Sequence, residues 1–360
     1  MRLKNLELTN YRNCGELSLD LDYDKIIIIG KNAQGKTNIL ESVYYLSALK
    51  SPRTSNIKDF VKFGAEGFHL RGNLLKSDTN VELEVDYEMN KTKVVKLNGL
   101  KTTPKNYKSA FNTVLFSTQD LLLLRGSPQD RRDWLDSAIS QIYPAHDERL
   151  SNYNKIRIQK NNLLKEQDIN MDLLEVFNEQ LVITGANIIF TRQKFLSELK
   201  KYAYAKYSGI STNEKFDFEY SFNYFDAEEI AQALREELRT RKNEEIARHQ
   251  SCVGPHRDDV LFYLDEKEAT KFASQGQQRT IVLALKLAEI ELVSEKKGYS
   301  PVLLLDDVLA ELDDLRQNYL LKSISETTQT IITSVDTLLF EEDFLRNVKI
   351  YKIAGGELLP

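Results

Sequence analysis

The stretch "GKNAQGKT" at residues 30–37 fits the pattern G-x-x-x-x-G-K-[ST]. It sits between the aliphatic run "KIIIIG" (25–30) and the helical pattern "KTNILESVYYLSAL" (36–49). A buried strand that opens through such a loop into a helix gathers backbone N–H groups and a helix N-terminus at one point, which is a phosphate cradle. In that setting Lys36 reaches the β and γ oxygens of a nucleoside triphosphate, and the Thr37 hydroxyl ligates Mg²⁺. Gly30, Lys31, Asn32, Gly35, Lys36, Thr37 and Asn38 are therefore the candidate nucleotide-binding residues.

The acid that partners such a loop ends a buried aliphatic strand. "VLLLDD" (302–307) supplies Asp306 to hold Mg²⁺ and Asp307 to orient an attacking water. Far downstream of the loop, "FASQGQQRT" (272–280) sets a serine and a glycine at the start of an apolar helix expected over about 276–295. That is a second anion-ready helix start. A second cradle has a use if it covers the γ-phosphate from the opposite side, and in a head-to-tail pair of like subunits each copy would cover its partner's nucleotide.

Between these motifs the chain changes texture. "LSLDL" (17–21) alternates, and "GFHLRGNLL" (67–75), "NVELEVDYEM" (80–89) and "KTKVVKLNG" (91–99) read as an antiparallel meander. From about residue 128 long helical patterns take over. Leu173, Phe177, Leu181, Thr184, Ile188, Thr191, Phe195, Leu199 and Tyr202 form one seam spaced three or four apart, which predicts a projecting helical arm. Another helix is expected from Asp226, with Glu229 completing a capping-box-like start, through "IAQALREELRTRKNEEIARH". "VLFYLD" (260–265) then returns the chain to β structure, and "LRQNYLLKSI" and "TQTIITS" (328–334) read as a helix and a strand.

The length of 360 residues suits two domains or one domain with a large insertion. The first residues are too charged for a secretory segment, and no run approaches the length that crosses a bilayer, so a cytoplasmic location is expected. Cys14 and Cys252 lack zinc-site or CxxC spacing and are expected as buried thiols. A net charge of −5 confines any nucleic-acid contact to a local basic patch.

Taken together the motifs are similar to those of SMC-like ABC-type ATPases. "SQGQQR" resembles the LSGGQQR signature, with Ala273 in place of Leu and Gln275 in place of the first Gly. "AELD" (310–313) resembles the D-loop, and Gln119 in "FSTQD" resembles the Q-loop glutamine. "LELTNYRN", "SPRT" (51–54), "QDRRDWLD" (129–136) and "GPHRDD" (254–259) extend the likeness over almost the whole chain to the RecF recombination-mediator family. The resemblance implies an α/β fold: an ABC-type ATPase head at 1–127 and 251–360, with a mixed sheet and an antiparallel β subdomain, carrying an inserted helical arm at 128–250. It implies ATP-dependent homodimerisation, slow hydrolysis that acts as a switch, and binding of gapped or double-stranded DNA junctions, with single-stranded DNA also a partner. It further implies cooperation with RecO and RecR in loading RecA.

On this likeness Ser274, Gly276 and Gln277 would contact the γ-phosphate across the dimer, Gln119 would sense Mg²⁺ or the water, and Asp313 would lie at the dimer seam. Two departures bear on rate. Asp307 stands where many ABC ATPases carry Glu, and Ser334 stands where they carry a switch His, which favours slow turnover.

Lesser signals leave alternatives open. Arg12 could reach the phosphates, as similar arginines do in SMC-like heads, or be a surface residue beside Tyr11. Lys50, Arg53, Lys58 and Lys62, and separately Arg131 and Arg132, could face DNA or solvent. Arg257 could pair with Asp258 or Asp259, and His69, His146 and His249 are given no chemistry. The leading competitor is the ATP-hydrolysing subunit of a membrane transporter. It is disfavoured because 155 positions separate Gln119 from Ser274, room for an arm that transporter subunits lack. A small-molecule P-loop kinase would have no use for "SQGQQR" or "AELD".

Overall fold

Runs of Ile, Leu and Val without polar alternation suit strands covered on both faces. In the computed structural model, which describes residues 1–211, 213–222, 226–324 and 328–359, such runs form the inner strands of a six-stranded sheet. Its strands lie in the order Glu357–Leu359, Val348–Ala354, Lys25–Ile29, Thr330–Ser334, Val302–Asp306 and Thr113–Ser117, all parallel except the first hairpin pair. The register sets Asp306 beside Thr333 on one side and Ser117 on the other. Three polar strand ends thus meet at the C-terminal edge, where open α/β sheets place their ligands.

The expected meander is present and larger. Strands Cys14–Asp20, Arg2–Tyr11, Gly67–Lys76, Thr79–Glu88, Val94–Leu97 and Leu100–Lys101 form a second six-stranded sheet, antiparallel throughout. The phosphate-loop helix, Lys36–Ala48, buries 11 of its 13 residues. Its Ile39, Leu40 and Val43 share one core with Leu70, Leu83 and Val85 of the antiparallel sheet and with Ile26, Leu304 and Ile331 of the parallel one. A helix buried on nearly every side has no solvent face to tilt towards, so the loop at its start has a rigid base.

The described chain divides into two compact units, residues 1–121 with 282–360, and residues 122–281. This packing cut differs from the division expected from the sequence, at 127/128 and 250/251. Residues 251–281 group with the helices, to which one ion pair and one hydrogen bond to a backbone carbonyl tie them. Arg131 binds Asp259 through two bonds of 2.7 and 2.8 Å, and Arg132 donates to the Asp258 carbonyl at 2.6 Å. Arg131 and Arg132, which the sequence left facing either DNA or solvent, are both buried. Arg257 is not the partner of either aspartate; it donates to the Ser251 carbonyl at 3.1 Å. Strand Val260–Leu264 pairs with Phe216–Tyr220 and Lys267–Glu268 in a three-stranded sheet of the second unit. The strand at 216–220 was not read from the sequence, although Phe216, Phe218 and Tyr220 alternate inward.

One helix of 40 residues, Met171–Ile210, runs through this unit. It packs against both Ala145–Leu163 and Ala227–Thr240, so its buried surface is wider than the single seam expected. Leu174, Gly185, Ile189 and Arg192 are inside, while Leu173 is exposed and Thr184 and Thr191 are half-buried. Contrary to the sequence reading, this helix is long and apolar enough to cross a membrane by length and composition alone. Its inner side, however, carries Asn178 and the charged Arg192. Asp226 caps the next helix by accepting from the Glu228 amide at 2.6 Å. That helix stops at Arg241 and a separate one, Lys242–Arg248, follows. Cys14 and Cys252 are free, buried thiols.

Candidate functional site

At the C-terminal edge of the parallel sheet the loop after Lys25–Ile29 turns sharply. Gly30 passes so close to the neighbouring strand that a Cβ there would stand 2.4 Å from the Ile353 carbonyl oxygen. Two loop residues adopt left-handed backbone, Ala33 at φ 63° and Gly35 at φ 110°. Gly35 then caps the phosphate-loop helix. The Lys36 ammonium curls back and donates to the carbonyls of Gly30 (2.8 Å) and Lys31 (3.3 Å), and it lies 3.8 Å from the Asp307 carboxylate.

Thr37 Oγ1 donates to Asp306 Oδ1 at 2.9 Å, and Thr333 Oγ1 donates to the same oxygen at 2.9 Å. Thr333 Oγ1 in turn accepts from the Asp307 amide at 2.9 Å. Burial lifts the Asp306 carboxyl above its ordinary range; the two threonine hydroxyls oppose this and Asp307 adds to it. A cation at this oxygen would relieve the cost of a buried negative charge. Asp307 itself stands at φ 51°, a left-handed conformation that a non-glycine residue adopts at a cost and that turns its side chain away from the strand's alternation.

Lys36, Thr37, Asp306, Asp307 and Thr333 line one cavity of 890 Å³, within the range of small-molecule sites, whereas Gly30 and Lys31 are not in its lining. Asn32, Gly35, Asn38, Gln119 and Ser334 also line it. The turn that carries Gln119 is pinned by Asp120, which accepts from the Ser117 amide (2.7 Å) and pairs with Lys286 (2.8 Å). Thr37 and Asp306 together suit Mg²⁺, which is held through one or two carboxylates and completes its shell with water and phosphate, and Gln119 adds an amide oxygen to the same lining.

Arg12 is not among the lining residues. Its guanidinium holds the buried Glu41 carboxylate in two bonds, 2.8 and 2.7 Å, and the Asp59 carbonyl at 2.8 Å, and it lies over the Phe60 ring. The arginine that does line the cavity is Arg53, which donates to Asn38 Oδ1 at 2.7 Å and stands 3.5 Å from Glu41. From sequence Arg53 is expected to face DNA or solvent, and neither Thr333 nor Glu41 carries an expected role. The signal for Thr333 was its place at the end of the strand next to the one that ends in Asp306.

Ser274, Gly276 and Gln277 belong to the second unit. Ser274 caps the helix Gln275–Lys297 in a reciprocal box: its amide donates to Gln277 Oε1 at 2.6 Å, and its Oγ accepts from the Gln277 amide at 3.2 Å. Ser274 and Gln275 are exposed. Asp313 is half-exposed and caps the helix Asp314–Ser323. His69, given no chemistry from sequence, stands with Glu84 and Asp86 on the antiparallel sheet. Lys96 already pairs with both carboxylates there, at 3.1 and 2.9 Å.

A family model described as the RecF/RecN/SMC N-terminal domain matches residues 2–357. The chain is 40% identical to the DNA replication and repair protein RecF of Staphylococcus carnosus and 37% identical to that of Bacillus subtilis, in each case over 100% of both chains. A solved structure of the recombination mediator protein RecF with ATP, in the RecFOR pathway, matches with a TM-score of 0.91. It is 35% identical and covers 100% of this chain and 98% of that one.

Proposed function

Because the chain belongs to the RecF family of DNA replication and repair proteins, with the SMC-like ABC-type ATPase fold, we propose that it is an ATP-gated DNA-binding protein. ATP binding pairs two copies, the pair holds gapped or double-stranded DNA, and slow hydrolysis releases it. The observation that carries this reading is the convergence of Lys36, Thr37, Asp306, Asp307 and Thr333 on one cavity at the edge of the parallel sheet.

In this reading Lys36 exchanges its carbonyl partners for phosphate oxygens, and Thr37 and Asp306 hold Mg²⁺. Bound there, Mg²⁺ supplies charge neutralisation at the β- and γ-phosphates. Asp307 and Gln119 orient the attacking water, and Ser274, Gly276 and Gln277 of a second copy cover the γ-phosphate. With Asp307 one methylene shorter than Glu, and Ser334 in place of histidine, the site is poor at moving a proton, which suits a switch. RecR and RecO are the proposed protein partners, with RecA loading as the outcome and the cytoplasm as the place of work. The transporter reading is set aside, since the match runs the full length of DNA replication and repair proteins.

Sedimentation with and without ATP and Mg²⁺, in the presence of gapped duplex, tests the proposal. A dimer that forms only with ATP and co-sediments with DNA is expected. Lys36→Ala should lose ATP affinity and remain monomeric; a Lys36→Ala protein that binds ATP as the wild type does would overturn the assigned loop.

A further inference from the structure

The last hairpin of the chain, Val348–Ala354 with Glu357–Leu359, turns at Gly355 and Gly356, and this turn meets the phosphate loop. The Gly356 amide donates to the Gln34 carbonyl at 2.9 Å, and the Gly355 amide donates to Gln34 Oε1 at 2.8 Å. Asn13, from the turn between the first two strands, adds a longer bond from Nδ2 to the same Gln34 carbonyl, 3.3 Å. Asn38 on the phosphate-loop helix locks Asn13 in turn by donating to its Oδ1 at 2.7 Å. The packing is close: a Cβ on Gly356 would stand 2.7 Å from the Asn13 carbonyl oxygen, and one on Gly35 would stand 2.9 Å from the Asn13 side chain.

We propose that the Gly355–Gly356 turn is a positioning element of the nucleotide site, which sets the direction of the phosphate-binding amides by holding Gln34. The reasoning is geometric. A trans peptide unit is planar, with its C=O and N–H pointing in opposite directions. Two donors that draw the Gln34 carbonyl towards the hairpin therefore turn the Gly35 N–H the other way, and Gly35 lines the cavity. The left-handed Ala33 beside Gln34, a conformation that costs a non-glycine residue, makes this a loop that would relax if left unsupported. Preorganised donors bind more tightly because the ordering is already complete when the ligand arrives. Nothing in the local pattern "GKNAQGKT" requires a contact from a turn more than 300 residues later; Gln34 and Gly355 are 321 positions apart.

The inference rests on the ATP reading above, and the test separates the two. In the full-length protein, Gly356→Ala introduces a Cβ against Asn13 at a φ of +86°. It should weaken MgATP binding roughly tenfold, about the effect of one lost hydrogen bond. Turnover at saturating ATP should stay within about threefold, because the groups around Asp307 are untouched. Gly99→Ala is the control, with a similar left-handed φ of +75° and open space around it, and should keep the wild-type affinity. If Gly356→Ala does not fold, hydrogen exchange in the wild type gives the same answer. The amides of Gly355 and Gly356 should slow on adding MgATP, and those of the Asn98–Gly99 turn should not. Wild-type affinity in folded Gly356→Ala, or exchange at the two glycines unchanged by ATP, overturns the proposal while Lys36→Ala still loses binding. ATP binding retained by Lys36→Ala overturns the nucleotide reading, and this inference with it.

Discussion

His256 and Asp258 stand two positions apart in the second unit and titrate in opposite senses. The His256 ring accepts from Tyr153 OH at Nδ1 (2.7 Å) and donates from Nε2 to the Ser251 carbonyl (3.2 Å), a neutral arrangement. Burial, with nearby Arg157, Arg257 and Arg132, pushes its pKa down to about 3. Burial also lifts the Asp258 carboxyl to about 6, even though Tyr220 OH donates to it at 2.7 Å. Between about pH 3 and 6.5 the unfolded chain binds a proton at His256 that the folded chain refuses, so this residue makes stability rise with pH. Between about 3.8 and 6 the folded chain keeps a proton on Asp258 that the unfolded chain releases, so Asp258 makes stability fall with pH. The two contributions oppose each other from about pH 4 to 6. Relative to the wild type, Asp258→Asn should make unfolding free energy rise more steeply with pH there, by up to about 1.4 kcal/mol per unit, and His256→Gln should make it rise less. Chemical denaturation at pH 4.5, 5.2 and 6.0 checks this, and parallel profiles for the three proteins would refute it. At this scale the sequence was legible where function is local. Lys36 and Thr37 follow from motif spacing, and the Asp306–Asp307 pair from an aliphatic strand read together with that motif; all four line the one cavity. Thr333 and Glu41 were not legible, because their roles depend on which strand lies beside which and on which buried carboxylate an arginine finds.

At the scale of elements, the long helix shows why a periodic pattern gives the element and not its partners. The seam from Leu173 to Tyr202 predicted a helix, and Met171–Ile210 is one. A helix packed between two others buries more than one stripe, and residues that look polar then enter the core in pairs. Arg192, 2% exposed, is such a residue. It binds Asp136 on Pro128–Ile142 through bonds of 2.8 and 2.7 Å, and also donates to Tyr220 OH and the Pro255 carbonyl. His146 shares the same carboxylate at 2.9 Å. Removing one member of a buried pair strands the other charge, so Arg192→Leu should cost about 3–5 kcal/mol. Asp136→Asn combined with Arg192→Leu should recover part of that loss, as a coupled pair does. The single tryptophan, Trp134, is buried against Phe262 in this unit and reports its unfolding by fluorescence. Equal midpoints for Arg192→Leu and the wild type, or strict additivity in the double variant, would count against the pair as a structural tie. The strand Phe216–Tyr220 is the complementary case: its alternation was present in the sequence, but its partner Val260–Leu264 lies about 40 positions on and was read as belonging elsewhere.

At the scale of the whole molecule, the proposed function needs two copies, each with a net charge of −5, to associate head to tail. Their long-range interaction is repulsive at low salt. Association must therefore be driven by what lies in the seam, which in this reading is MgATP gripped by one copy through Lys36 and Thr37 and by the other through the helix that Ser274 caps. The Ser274 amide and hydroxyl are engaged with Gln277, so the helix tip is ordered and also exposed. Ser274→Arg places a long side chain where a phosphate oxygen would have to come within hydrogen-bond distance. It should abolish ATP-induced dimers in light scattering while leaving monomer affinity for ATP intact, because Lys36 and Thr37 belong to the other unit. Loss of the cap alone costs about 1 kcal/mol, so Ser274→Ala separates the two effects. Ser274→Ala should lower stability by that amount and weaken dimerisation by a modest factor, whereas Ser274→Arg should remove it at any ATP concentration. Dimers of unchanged strength in Ser274→Arg would mean that the serine tip covers no phosphate, and the pairing of copies would then need a different seam.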